Sequence, residues 1–142
     1  MIKHITESEA LYYIKNNNEL NDWHKDFYLW KKHLILLKNW PWLKKFYRGD
    51  GKWLGHFDDL QLNGVYWYNI INDEIYDGFL ISSKPGVGIR LGRWLEKNVK
   101  YKTNWSCCFK KYVKFNERLG FQIKSVDSLD KKEVFLLCRK KY

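Results

Sequence analysis

The run Leu80-Ile81-Ser82-Ser83-Lys84-Pro85-Gly86-Val87-Gly88-Ile89-Arg90 sets two glycines, one residue apart, after an apolar stretch. Glycine permits positive φ and lets a ligand approach the backbone closely. Leu91, Trp94, Leu95 and Val99 then recur at helical spacing. The free amides and dipole of a helix starting here would point at the turn and favour an anion. Arg90 and Arg93 fall in the first turns, where positive charge costs a few tenths to about 1 kcal/mol. A bound phosphate would offset that cost. The alternative is a strand-to-helix turn that needs glycine for its geometry alone.

Other chemistry-bearing residue types form weaker patterns. His4, His24, His33 and His56 are scattered and match no metal-ligand spacing, so no metal site is expected. The three cysteines include the adjacent pair Cys107 and Cys108 and no C-x-x-C, which reads as reduced thiols. The aromatic-basic segment Trp40-Pro41-Trp42-Leu43-Lys44-Lys45-Phe46-Tyr47-Arg48 has two readings. Its rings stack on a base while its cations hold phosphates, or its rings close the core and its lysines are solvated.

The elements that must position the glycine turn follow from periodicity. A strand is expected over residues 1–5. Thr6 and Glu9 then form a capping box for a helix with Leu11 and Ile14 on its apolar face and Tyr12 as a further candidate there, ending at Asn16-Asn17-Asn18. Phe27, Trp30, Leu34 and Leu37 place a second helix over residues 22–38, which Pro41 terminates. Residues 40–47 are a third helix turn or an irregular loop. After the turn Gly49-Asp50-Gly51, a strand over residues 52–62 is interrupted at Asp58-Asp59. Asn63-Gly64 is the hairpin signal leading to a strand over 65–71. Asn72-Asp73-Glu74 is a further turn before a strand over 75–82. Beyond the glycine turn come a helix, a strand over 103–109, a helix over 110–119 capped by Gly120, and strands over 121–126 and 133–139 around a polar turn at 127–132. This order is an α+β pattern around a mixed sheet.

The chain has 142 residues, which suits a single domain. A hydrophobic share of 45% argues against disorder. The eight Trp, ten Tyr and eight Phe must be buried or form contact surfaces. No apolar run approaches the roughly 20 residues of a membrane span, and residues 1–5 lead into no signal-peptide core. An intracellular, cytoplasmic location is expected, with no membrane partner. The formal charge of +10, from 26 basic and 16 acidic residues, favours acidic partners: nucleic acid or a phosphate-bearing cofactor.

Taken with the segment Phe115-Asn116-Glu117-Arg118-Leu119-Gly120-Phe121, the glycine turn resembles the GNAT superfamily of acyl-CoA N-acyltransferases. There a strand of the form V-x-P-x-x-R-G-x-G-I-G runs into a helix and binds the CoA pyrophosphate. Leu80, Ser82, Pro85, Gly86, Gly88, Ile89 and Arg90 fall on those positions. Both glycines and Ile89 match, while Pro85 stands at the family's arginine and Arg90 at its last glycine. Of the later F-Y-x-x-x-G-F motif, Phe115, Gly120 and Phe121 match. The opening Ile2-Lys3-His4-Ile5-Thr6-Glu7-Ser8-Glu9 is similar to the family's first strand and helix start. Short, basic, diverged proteins of this kind are familiar from tailed phages.

The resemblance implies a mostly antiparallel sheet flanked by helices, with a parallel strand pair that splays at the cofactor site. It implies acetyl-CoA or another acyl-CoA as donor, wedged between strands over 75–82 and 103–109, and held by Leu80, Ile81, Pro85, Gly86, Val87, Gly88, Ile89, Arg90 and Phe115. A backbone amide near Leu80 or Ile81 would polarise the thioester carbonyl. Glu74 and Asp77 are the candidate bases for an amine acceptor, against a role as ordinary turn carboxylates. The family's acidic tyrosine falls at Asn116, which cannot supply a proton, and its strand-end asparagine at Phe109. Tyr112 and Cys108 are the substitutes, each set against a packing role. Trp42 and Tyr47 would lie on the acceptor side. The expected function is N-acyl transfer to a small-molecule, peptide or nucleic-acid amine. The alternatives are a nucleic-acid-directed protein on the same fold, or a structural or host-interaction protein with a retired active site. Nothing in the sequence fixes the oligomeric state.

Overall fold

The computed structural model describes residues 1–16, 51–129 and 132–140. The expected helix over 22–38, the segment 40–48 with Trp42 and Tyr47, and residues 49, 50, 130 and 131 lie outside the described residues.

The chain opens with β1 (Ile2–Ile5) and α1 (Glu7–Asn16). The capping box forms reciprocally: the Thr6 amide donates to Glu9 Oε1 at 3.2 Å, and the Glu9 amide donates to Thr6 Oγ1 at 3.1 Å. The buried face of α1 carries Ala10, Tyr13 and Ile14, spaced three and one apart, whereas Tyr12 points outward and Leu11 is half-buried. Next come β2 (Lys52–Asp58), β3 (Gln61–Ile71) and β4 (Glu74–Ser82), then α2 (Val87–Asn98) and β5 (Thr103–Phe109). A 3-10 turn (Lys110–Tyr112) leads into the short α3 (Val113–Arg118), followed by β6 (Gln122–Leu129) and β7 (Lys132–Lys140). These strands form one sheet in the order β1-β2-β3-β4-β5-β7-β6. Every neighbouring pair is antiparallel except β4 and β5.

Several boundaries depart from the sequence reading, each for a physical reason. The β2–β3 hairpin turns at Asp59-Leu60, with Asp59 at φ 53°, and not at Asn63-Gly64. Aspartate tolerates that left-handed backbone. Asn63 and Gly64 lie inside β3, where tertiary packing overrides the local turn signal. A Cβ on Gly64 would stand 2.4 Å from Val87 Cγ1, so this glycine admits α2 onto the sheet. The next hairpin has φ 51° at Asn72 and 64° at Asp73, the two positive values of a type I′ turn, and Glu74 is already strand. The expected helix over 110–119 is split between the 3-10 turn and α3. It ends in a Schellman cap: Phe121 N–H bonds Asn116 O at 3.1 Å, Gly120 N–H bonds Glu117 O at 3.0 Å, and Gly120 sits at φ 93°. Strand β6 runs on to Leu129, through part of the expected polar turn.

Hydrophobic burial covers both sheet faces. Trp53, Val65 and Ile81 pack under Ala10, Tyr13 and Ile14 of α1. On the other face Leu54, Tyr66, Tyr68 and Ile75 meet Val87, Leu91 and Leu95 of α2. Helix α3 docks on α2 through missing side chains: a Cβ on Gly88 would lie 3.1 Å from the Phe115 ring, and one on Gly92 2.8 Å from Leu119 Cδ1. Cys107, Cys108 and Cys138 are free thiols. Among the described residues no helix is long and apolar enough to cross a membrane, and no cluster of metal-ligating side chains forms.

Candidate active site where the parallel strands part

Strands β4 and β5 pair over three residues only: Glu74 with Thr103, Ile75 with Asn104, Tyr76 with Trp105. Beyond that each strand follows its other neighbour. Strand β4 stays on β3 as far as Ser82, and β5 stays on β7 as far as Phe109. A bulge helps turn β4 away: Tyr68 faces Asp77 and Trp67 faces Phe79, which leaves Gly78 as the extra residue. A Cβ there would meet the Trp67 ring at 2.5 Å, and that ring is itself stacked on Trp53 at 5.6 Å. The result is a wedge-shaped opening between β4 and β5.

Backbone amides line the β4 side of it. Ser83 N–H donates to Asn63 O at 3.0 Å, towards β3. Antiparallel alternation then turns the Ile81 amide towards β3 as well, and the Leu80 and Ser82 amides towards the opening. At its outer end lies the glycine turn. Gly86 caps α2 at φ 83°, with nothing within 4 Å of where its Cβ would be, so glycine is needed there for conformation and the space in front is open. The first turn of α2 has no acidic residue and no side-chain cap. Its orphan amides therefore face outward as donors. Pro85, Gly86 and Arg90 are exposed, Ile89 is half-buried, and Val87 and Gly88 are buried in the packing of α2. Gly88 thus makes its close approach to Phe115, and Phe115 stands half-buried against it.

The turn is moored by residues to which sequence reasoning gave no role. Lys84 Nζ donates to Asp58 Oδ2 at 3.1 Å, and this bond pulls the Asp58 carboxyl below its usual range. Asn63 Nδ2 donates to the same oxygen at 2.8 Å. Asn63 Oδ1 is then left as acceptor for buried His56, whose Nδ1 donates at 2.6 Å. Ser83 Oγ donates to Asn63 O at 3.2 Å and accepts from Tyr13 Oη at 2.9 Å. The Asn63-Gly64 pair was the available signal, and it read as a turn.

At the apex of the opening sits Asp77. Its carboxylate accepts from the Tyr66 hydroxyl and from Asn104 Nδ2 at 2.8 Å. Arg139 stands behind, donating to Asn104 Oδ1 at 3.0 Å and to Leu119 O at 2.7 Å. Its guanidinium lies over the Phe121 ring at 4.8 Å, and a bond to Glu96 at 3.3 Å completes its setting. Asp77 keeps partial exposure as a residue, while its carboxyl is enclosed by these partners. Burial pushes the carboxyl up to about 6, against the opposing pull of its donors and of Arg139. The same burial and the adjacent carboxylate raise Tyr66 well above the ordinary phenol.

The two candidate bases are therefore placed differently. Asp77 is the first β4 residue past the paired segment. Glu74 lies at the closed end, opposite Thr103, accepting from Tyr76 Oη at 3.1 Å and Trp105 Nε1 at 3.4 Å. Across the opening, Asn116 of α3 is buried, its Nδ2 on Tyr112 O at 3.0 Å and its Oδ1 accepting from Ser106 Oγ at 3.4 Å. Tyr112 is half-buried at the end of the 3-10 turn, with Lys111 Nζ 4.9 Å from its ring centroid. Burial drives the Cys108 thiol up to about 12. Tyr66, Asn104, Ser106 and Arg139 were missed by sequence reasoning. Only Arg139 carried a hint, as a charged residue two positions after Leu137 on the same face of β7.

No protein-family profile and no curated protein matches the chain. Solved structures do. An acetyltransferase from Bacillus subtilis in complex with CoA is 15% identical with a TM-score of 0.61, over 99% of this chain and 98% of that one. A GNAT family acetyltransferase from Elizabethkingia anophelis with acetyl-CoA bound is 13% identical with a TM-score of 0.60, over 99% and 97%. An N-acetyltransferase from Campylobacter jejuni is 19% identical with a TM-score of 0.57, over 100% and 98%. The mixed sheet, its single parallel pair and the helix that starts beyond the β4 glycine turn agree with these structures, and the chain has the GNAT fold.

Proposed function

We propose that the chain works as a single domain that transfers an acetyl or related acyl group from acyl-CoA to an amine. The observation that carries this reading is the opening between β4 and β5, with inward-facing amides on one side and a helix N-terminus free of acidic residues at its outer end. The donor set fits such a ligand. The amides of the first turn of α2, with Arg90, suit a pyrophosphate. The Leu80 amide, having no strand partner on that side, suits the thioester carbonyl and the oxyanion that forms from it. Asp77 takes a proton from the acceptor amine, since it borders the opening and its carboxyl is raised towards neutrality. Glu74 is the second carboxylate available, from the closed end. The departing thiolate needs a proton, which the Tyr112 hydroxyl or another hydroxyl at the opening would supply.

Titration calorimetry with CoA tests this reading. Binding is expected, and Arg90→Glu should weaken it about tenfold, the equivalent of roughly 1.4 kcal/mol. Absence of heat with both CoA and acetyl-CoA at low salt refutes the proposal. One observation favours a second reading, a nucleic-acid-directed protein. Arg90, Arg93 and Lys97 lie exposed along one side of α2 without ion-pair partners among the described residues. Binding to DNA or RNA that falls steeply with rising salt would support it, and binding insensitive to salt would remove it.

A further inference from the structure

Arg139 of β7 is buried in a setting that serves stability poorly. Its ion-pair partner is Glu96 at 3.3 Å, a half-exposed side chain, and its Nε has no hydrogen-bond partner. A buried guanidinium with an unsatisfied nitrogen and one solvent-screened counter-charge gains little over an apolar side chain of similar size. What Arg139 does hold is two oxygens, Leu119 O at 2.7 Å and Asn104 Oδ1 at 3.0 Å. The second contact bears on the site. Arginine only donates, so the Asn104 atom facing it must be the carbonyl oxygen. The amide then cannot turn over, and its Nδ2 is aimed at Asp77 Oδ1, 2.8 Å away. The Tyr66 hydroxyl donates to that same oxygen. Asp77 Oδ2 receives neither bond, and Asp77 borders the opening with partial exposure.

We infer that Arg139 is a positioning residue for the acyl transfer: through Asn104 it pins Asp77 Oδ1, so that Oδ2 takes the proton of the acceptor amine. This rests on the acyl-transfer reading above and sharpens it from a residue to an atom. The proton transfer balances simply. The amine N–H bond breaks, its electron pair stays on nitrogen, and an O–H bond forms on Oδ2. Oδ1 becomes the carbonyl oxygen of the acid and keeps both hydrogen bonds, so no donor has to turn. A proton on Oδ1 would be set against the Asn104 Nδ2 protons, which Arg139 prevents from turning away. Without the guanidinium the Asn104 amide is free to present its oxygen to Asp77. A carboxylic acid donates to that oxygen and a carboxylate is repelled by it, so the protonated form gains. Loss of the cation acts in the same direction. Among the described residues, the charged and titratable groups around this set are Tyr66 of β3, Arg139 of β7, Tyr101 beside Arg139, and Glu96 of α2 behind it.

Carboxyl-carbon NMR of isotope-labelled protein reads the Asp77 titration directly, with Asp77→Asn identifying the signal. Arg139→Met should raise the Asp77 midpoint by about one pH unit. Asn104→Leu should raise it comparably, and the double variant should add little to either, since the two residues act as one chain. Thiol release from acetyl-CoA is followed with hydroxylamine as acceptor. At about pH 8.5, where Asp77 is ionised in every variant, Arg139→Met should lower kcat about tenfold and leave the Kd for CoA unchanged. An arginine with a structural role alone would lower Tm and move neither readout. Should a variant not fold, the wild-type protein carries the test, because the Asn104 side-chain amide signals should shift with the Asp77 midpoint. An unmoved midpoint or unchanged kcat in Arg139→Met, additive shifts in the double variant, or Asn104 amide signals that ignore the Asp77 titration each overturns the inference. A wild-type protein that binds CoA but releases no thiol from acetyl-CoA also overturns it. A wild-type protein that does not bind CoA refutes the acyl-transfer reading itself.

Discussion

Replacing Asp77 with asparagine should stabilise the protein at neutral pH while abolishing its use as a base. The Asp77 carboxyl is raised from 3.8 to about 6, chiefly by burial. Between those values the folded state holds more protons than the unfolded one, so stability falls as pH rises through that window. At about 1.36 kcal/mol per pH unit, the ionised carboxylate costs at most about 3 kcal/mol above pH 6; water entering through the opening lowers that figure. Asparagine removes the charge and keeps Oδ1 as acceptor for Tyr66 and Asn104. The Ser106 hydroxyl, which donates to Asn116 Oδ1, keeps lone pairs that can accept from the new Nδ2. The stability difference between Asp77→Asn and wild type should therefore grow from pH 4 to pH 7 by up to about 3 kcal/mol. For a chain of this size that is roughly 10 °C in Tm. Circular-dichroism melts of both proteins from pH 4 to pH 8 measure it. Taking the difference cancels the other carboxylates, including Asp58, which Lys84 holds low and which titrates in the opposite sense. A difference that stays flat across this range, or shrinks as pH rises, refutes the view that Asp77 is a carboxylate ionised against the cost of burial.

Two further outcomes follow from packing and capping. Gly64→Ala places a methyl 2.4 Å from Val87 Cγ1 and should cost about 1–3 kcal/mol, read as a lower midpoint in urea unfolding; the same substitution in a real hairpin turn would leave α2 undisturbed. Thr6→Ala removes the acceptor for the Glu9 amide and should cost about 1 kcal/mol, seen as a drop in Tm of a few degrees.

What the sequence made legible was local. The capping box at Thr6, the positive-φ glycines at 86 and 120 and the Asn72-Asp73 turn each depend on neighbours within a few residues, and each stands where the residue types placed it. Asn63-Gly64 shows the limit. The pair is a strong turn signal, yet a helix more than twenty residues later needs the space at Gly64, and burial decides against the turn. The apex of the candidate site was hidden for the same reason. Tyr66, Asp77, Asn104, Ser106 and Arg139 come from four strands, and alternation along any one strand does not say which hydroxyl or guanidinium meets which carboxylate. Asp77 was named because it precedes the glycine turn on one strand. Ser106 was not, because nothing near it in the chain marks it.

The parting of β4 from β5 also bears on how the molecule holds together. The sheet consists of two fully laddered halves, β1-β2-β3-β4 and β5-β7-β6, stitched along a seam three residue pairs long. The next stitches are side chains: Asn104 reaching across to Asp77, and Arg139 bracing Asn104 from the far strand. Breathing of the native state should concentrate along this seam, since few backbone bonds must break to open it. A ligand lodged in the wedge would then act as mortar, bonding both halves at once. Its imprint in hydrogen exchange would be slowed amides on the facing flanks of β4 and β5, well beyond the atoms it touches.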